Sequence, residues 1–123
     1  MDAAIREAFN TSHVKLMQES CRLERLLLGA VHLEARFTGR AEAALEAVAD
    51  RLRQLCAANG EPQYPIGALL ECAVALGSKR LLICDPGHKR LKAKVALNVP
   101  VNDLVHVLAH DRDLGWMAAR LGQ

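Results

Sequence analysis

Aromatic side chains are scarce: Phe9, Phe37, Tyr64 and Trp116 are the only four in 123 residues. A chain so poor in rings has little with which to build base-stacking platforms, carbohydrate clefts or aromatic cages. Cysteine is sparse as well, and nothing in its spacing pairs it. Cys21, Cys56, Cys72 and Cys84 form no CxxC motif, and each sits in an apolar-periodic stretch. That pattern fits reduced structural thiols better than a disulfide framework or a zinc site. Long apolar runs are missing too: Leu26 to Leu33 and Ile66 to Gly77 fall well short of the ~18 residues a membrane span needs. Residues Met1 to Glu7 lack a basic region followed by an apolar one, so no signal peptide is expected. A reducing cytoplasm is the expected compartment, with no membrane partner. No GxSxG, phosphate loop, dinucleotide glycine signature or paired-carboxylate motif occurs. The sequence therefore leans away from an enzyme and implies no catalytic residue and no cofactor.

What the chain has in quantity is leucine and alanine, 20 of each, within an apolar content of 51%. Both residues lose little freedom in a helix, and the apolar content suffices for a core. The expected fold is a single mainly helical α+β domain over 1–123, with 1–59 as a long helix or helical hairpin that oligomerises. Residues 60–123 then supply a buried third helix, a two-stranded antiparallel β-hairpin and C-terminal helices.

From Ala3 to Phe37 a heptad seam runs through Ile5, Phe9, Ser12, Leu16, Glu19, Leu23, Leu26, Ala30, Leu33 and Phe37. Val14, Met17, Cys21, Leu27, Leu28 and Val31 widen this stripe, so the helix expects burial on more than one side, as in a bundle. Self-association is the common use of such a stripe, which makes Ile5, Phe9, Leu16, Leu23, Leu26 and Leu33 the expected seam of a homodimer. Thr38-Gly39 is the expected interruption. A second helix follows from about Arg40 to Ala58, stopped by Asn59-Gly60 and Pro62. A hairpin is favoured over one continuous rod, because very long helices are less common in small domains.

Pro65 to Leu76 reads as a third helix closed by Gly77, with Glu71 its only charge. A helix apolar nearly all round belongs inside a core or a subunit interface. Arg80 to Cys84 reads as a strand, Asp85-Pro86-Gly87 as a turn, and Leu91 to Val99 alternates strictly. Leu91, Ala93, Val95, Leu97 and Val99 occupy one face, and Arg90, Lys92, Lys94, Ala96 and Asn98 the other. Asn102 caps a helix to about His110, and Asp111 or Asp113 starts a last one reaching Leu121.

The net charge of +2 conceals an uneven distribution. Residues 1–60 carry eight basic and eight acidic side chains, whereas Lys79 to Lys94 carries six basic residues against Asp85 alone. The remaining two basic and five acidic residues leave the rest negative. Lys79, Arg80, Lys89, Arg90, Lys92 and Lys94 thus form a basic hairpin able to hold phosphates, with nucleic acid the first anionic partner to consider. The competing explanation is solubility and protection of a strand edge.

Helices followed by a basic hairpin form an order that resembles winged helix-turn-helix domains, in which a recognition helix precedes the wing. In this chain the helix before the hairpin offers no Arg, Asn or Gln to read base edges, which argues against a standard reader. A wing in that setting holds backbone phosphates with little direct readout.

His106 and His110 share a helix face, near Asp103, Asp111 and Asp113. The intervening residues include no Glu, and no third ligand is fixed, so a solvated pair is preferred over a metal site. Three readings result. The first is a small non-enzymatic regulatory or accessory protein on an anionic partner. Second is a helical adaptor using its apolar stripe to bind another protein. A metal-dependent enzyme using the histidine pair comes third.

Overall fold

The computed structural model describes residues 12–84, 92–111 and 114–121. The expected sites and elements at Ile5, Phe9, Asp85 to Leu91 (with Lys89 and Arg90) and Asp113 lie outside the described residues. Six helices and three short strands follow in order: α1 (Ser12–Glu19), α2 (Arg22–Thr38), β1 (Ala43–Ala44), α3 (Leu45–Ala58), α4 (Ile66–Ser78), β2 (Leu82–Cys84), β3 (Lys94–Leu97), α5 (Val101–Ala109) and α6 (Gly115–Leu121). The fold is mainly helical α+β, as the composition requires.

Helix α2 is the central pillar and packs against α3, α4, α5, α6, β1 and β3. Ten of its 17 residues are buried, from Leu23 through Glu34, which is what the widened stripe expects. A helix enclosed by neighbours on several sides cannot also supply a free seam. Leu23, Leu26 and Leu33 are 7%, 0% and 7% exposed within the single chain, and Leu16 packs against the same core. This corrects the expected homodimer seam at those four positions: their side chains belong to the chain's own core.

The stripe is also not one helix. Ser20 turns its hydroxyl back onto the Leu16 carbonyl at 2.7 Å and is itself buried. Cys21 then opens α2 with a capping box: its thiol accepts from the Glu24 amide, and the Glu24 carboxylate accepts from the Cys21 amide. Gly39, at φ 72, closes α2 in the left-handed region, so the Thr38-Gly39 interruption stands where expected. Arg40 to Glu42 are not helical. Ala43-Ala44 pairs with β3 before α3 begins, and the Leu45 amide donates to the Ala93 carbonyl at 2.9 Å. The stop at Asn59-Gly60 is realised: Gly60 has φ 70, and the Glu61 amide reaches back to the Cys56 carbonyl at 2.9 Å.

Three further expectations change. The hairpin gains a third strand, giving an antiparallel sheet of order β1-β3-β2. Helix α4 is buried along one face only, by Leu69, Ala73 and Leu76, while Val74 is 70% exposed. The helix enclosed on several sides is α2, leaving α4 on the flank. Helix α5 begins at Val101 behind Pro100 rather than behind Asn102. Register in the sheet follows the alternation: Ala43, Val95 and Cys84 align inward, whereas Ile83 lies opposite Ala96 and Ala44 opposite Lys94 on the outer face. The succession α2-β1-α3-α4-β2-β3 has the element order that resembles a winged helix-turn-helix, with α5 and α6 packed on α2 and α1 on α5. Among the described residues no helix is long and apolar enough to cross a membrane.

Helix α6 approaches α2 at Gly29, where an added Cβ would stand 2.9 Å from both Cγ and Sδ of Met117. Met117 is fully buried and has little room to withdraw. Gly29→Ala should therefore cost about 1–3 kcal/mol in overpacking, offset by about 1 kcal/mol of helix propensity. A lowered denaturation midpoint is the expected result. An unchanged or raised midpoint would mean that Met117 moves aside.

Candidate nucleic-acid interface

The basic residues singled out in sequence divide into three groups. Lys79 is drawn inward: its Nζ donates to Glu24 Oε2 at 2.9 Å and lies 3.5 Å from Ser20 Oγ. Its charge ties the end of α4 to the start of α2. Arg80, Lys92 and Lys94 are exposed. Lys89 and Arg90 fall outside the described residues.

Arg80 has the one positive φ, 63°, among described non-glycine residues. It occupies the position after the α4 cap: the Leu81 amide bonds to the Leu76 carbonyl at 2.9 Å and the Arg80 amide to Gly77 at 3.1 Å. That is the Schellman pattern, which usually takes glycine there. The Arg80 carbonyl accepts from Asn98 Nδ2 at 2.8 Å, joining the base of β2 to the end of β3. A guanidinium at the foot of the wing is thus held on a backbone conformation that disfavours a side chain.

Lys94 projects from the outer face of β3 and lines a groove of about 690 Å³ with Glu34, Thr38, Arg40 and Glu42. Two carboxylates there stand beside two cations, and Lys92 is exposed outside that lining. The exposed stripe of α4 is Gly67, Glu71, Val74 and Ser78. Its one charge is negative and it carries no long donor, as the sequence expects; a groove-reading role for α4 has no side chains to perform it.

No protein-family model matches the chain. It does have relatives along nearly its whole length. The chain is similar to origin recognition complex subunit 1. Identity is 34% over 118 residues, 96% of this chain, with origin of replication complex subunit 1B of Arabidopsis thaliana. It is 31% over 108 residues, 88% of this chain, with the Rattus norvegicus origin recognition complex subunit 1. The chain spans only 14% and 13% of the length of these relatives. Among solved structures, a chain in the structure of Drosophila ORC bound to DNA superposes with a TM-score of 0.74 at 28% identity. That match covers 80% of this chain and 25% of the other. Cdc6p from Pyrobaculum aerophilum shares the fold, with a TM-score of 0.66 at 11% identity over 87% of this chain and 26% of its own.

The histidine pair sits away from the wing. The rings of His106 and His110 are 4.4 Å apart, and His110 Nδ1 lies 2.8 Å from the His106 carbonyl oxygen. Among the described residues no group of three or more His, Cys, Asp or Glu converges on a metal position. All four cysteines are free. Burial raises the Cys56 and Cys84 thiols, and burial with the nearby Cys21 and Glu24 pushes Cys72 up to about 12. What sequence reasoning missed is the partner of Lys79, because Glu24 lies 55 positions earlier in the chain.

Glu24 and Arg80 each provide a test. Burial raises the Glu24 carboxyl, but hydrogen bonds from Lys79 and Cys21 outweigh it and set the group below its ordinary value of 4.5. A depressed carboxyl contributes stability above its unfolded pKa and loses it as pH falls through the folded one. The stability gap between the natural chain and Glu24→Gln should therefore be full at neutral pH and shrink below pH 4.5, measured by denaturant titration at stepped pH. Arg80→Gly should remove a left-handed penalty of about 1 kcal/mol and raise the thermal midpoint; a fall would mean that the guanidinium supports the fold.

Proposed function

We propose that this domain contacts DNA as part of an origin recognition assembly, gripping backbone phosphates with its wing. The observation that carries the reading is the alignment of 96% of the chain with one segment of origin recognition complex subunit 1. The similar Drosophila ORC structure is a complex with DNA, which supports the choice of ligand. Arg80, Lys92 and Lys94 supply exposed cations on the wing and at its foot, with Lys89 and Arg90 adding sequence charge between the strands. Lys79 drops out of this set, since its ammonium serves Glu24.

Phosphate contacts of this kind position a protein without reading sequence. The α4 stripe supports the same division, since Glu71 repels phosphate and Val74 offers no hydrogen bond. On this reading the regulatory or accessory role expected from the sequence is that of a DNA-contacting module working with other subunits. Its compartment is then wherever the chromosomes are, in place of the expected cytoplasm.

The test is binding to labelled duplex DNA across a salt series. Affinity should fall steeply as salt rises. Replacing both Lys92 and Lys94 by Ala should flatten the log–log slope by about 2, near 0.9 for each phosphate no longer neutralised. Circular dichroism should be unchanged, because both side chains are exposed. An unaltered slope and affinity would remove the wing from the interface.

A further inference from the structure

Phe37, on the last turn of α2, is 76% exposed. The heptad seam assigned it to a core, yet it stands beside a cavity of about 450 Å³ between α2, α3 and α6. Leu33 and Leu55 line the cavity together with Arg36, Arg51 and Arg120, and no lining residue is acidic. The Arg51 guanidinium lies 4.7 Å from the Phe37 ring centroid, and its Nε bonds to Glu34. Arg36 donates to the carbonyls of Leu121 and Arg120, each at 3.1 Å, which fixes its guanidinium at the end of α6. The cavity thus has an aliphatic floor, one open aromatic edge and three guanidiniums.

We propose that this cavity is a docking site for an acidic peptide segment of another protein, with an apolar side chain of that segment seated beside Phe37. Charge complementarity sets the sign: Glu34 already takes up the charge of Arg51, and Arg36 and Arg120, in a lining without an acidic residue, favour carboxylates. Exposed aromatic and arginine side chains around a pocket are also the composition of interface hot spots. A nucleic-acid strand fits less well. Single-stranded binding uses successive rings along a basic groove, whereas the cavity has one ring, and a guanidinium lies close over it. The volume suits one large side chain rather than a track.

The probe is a short fluorescein-labelled peptide alternating glutamate with leucine and phenylalanine, titrated with the whole chain and followed by anisotropy. Saturable binding is expected, weakened roughly tenfold by Phe37→Ala and by Arg120→Glu. Both side chains are exposed, so thermal midpoints should hold, and duplex DNA affinity should stay within error for Phe37→Ala. Arg120→Ala serves as the milder variant should the charge reversal disturb α6. Absence of saturable binding, or binding indifferent to all three substitutions, would overturn the proposal. So would tighter binding of oligothymidylate that depends on Phe37, which would assign the cavity to nucleic acid. The Lys92/Lys94 variant should still bind the peptide saturably, and with the same dependence on Phe37, whatever it does to DNA, so the two readings fail separately.

Discussion

Where α6 crosses α2, the missing side chain of Gly29 admits the thioether of Met117, and both residues are sealed from solvent. With α6 seated there, and α3, α4 and β3 also packed against α2, little of this helix is left facing water. Its charged residues must then leave through the seams. Glu24 reaches Lys79 of the segment after α4, Glu34 reaches Arg51 of α3, Arg22 reaches Glu61 of the loop before α4, and Arg25 reaches Asp111 after α5. An ionised group in a crowded seam costs free energy unless it is paired. Each pair therefore fixes where a neighbouring element crosses α2, and the crossing positions orient the wing.

The same pairing decides which cations remain available. Lys79, Arg51, Arg22 and Arg25 hold carboxylates of the chain itself, while Lys94 projects from the outer face of β3 and Arg80 and Lys92 stand exposed just before β2 and β3. None of the four carboxylates paired across the seams of α2 takes up charge from Arg80, Lys92 or Lys94. On the proposed reading such a wing supplies affinity and salt dependence but no base readout. Preference for particular DNA would then come from duplex shape or from other parts of the assembly.

Much of this was legible because burial leaves a period in the sequence. Ala93, Val95 and Val99 alternate with Lys92, Lys94 and Asn98, and the structure buries the first set and exposes the second. The width of the stripe from Leu23 to Leu33 announced burial on several sides. Other features had little or no local signal. β1 is two alanines long, and its pairing depends on Val95 and Lys94, some fifty residues away. The break at Ser20-Cys21 is marked in the sequence only by Glu19, a charged residue at a seam position, while the heptad spacing itself continues through it. The exposure of Phe37 depends on where α3 and α6 end, which no window around position 37 contains. Helix α4 looked like a core helix because it lacks charge; in the fold it is flanking, and its uncharged stripe reaches the surface. The homodimer seam failed for a related reason, because an apolar stripe does not say whose core it enters.

Glu34 connects the two candidate surfaces. Its carboxylate bonds to Arg51, which lines the Phe37 cavity, and it also lines the groove that holds Lys94 and Arg40. On the proposed readings both ligands are anionic, and their sites share this one buried carboxylate. Negative charge arriving in the cavity would lower the positive potential around Lys94, and DNA phosphate on the wing would do the same in reverse. Two like-charged ligands meeting across one acidic residue oppose each other, and the penalty is equal in both directions. On those two readings, occupation of the cavity would loosen an electrostatic grip on DNA.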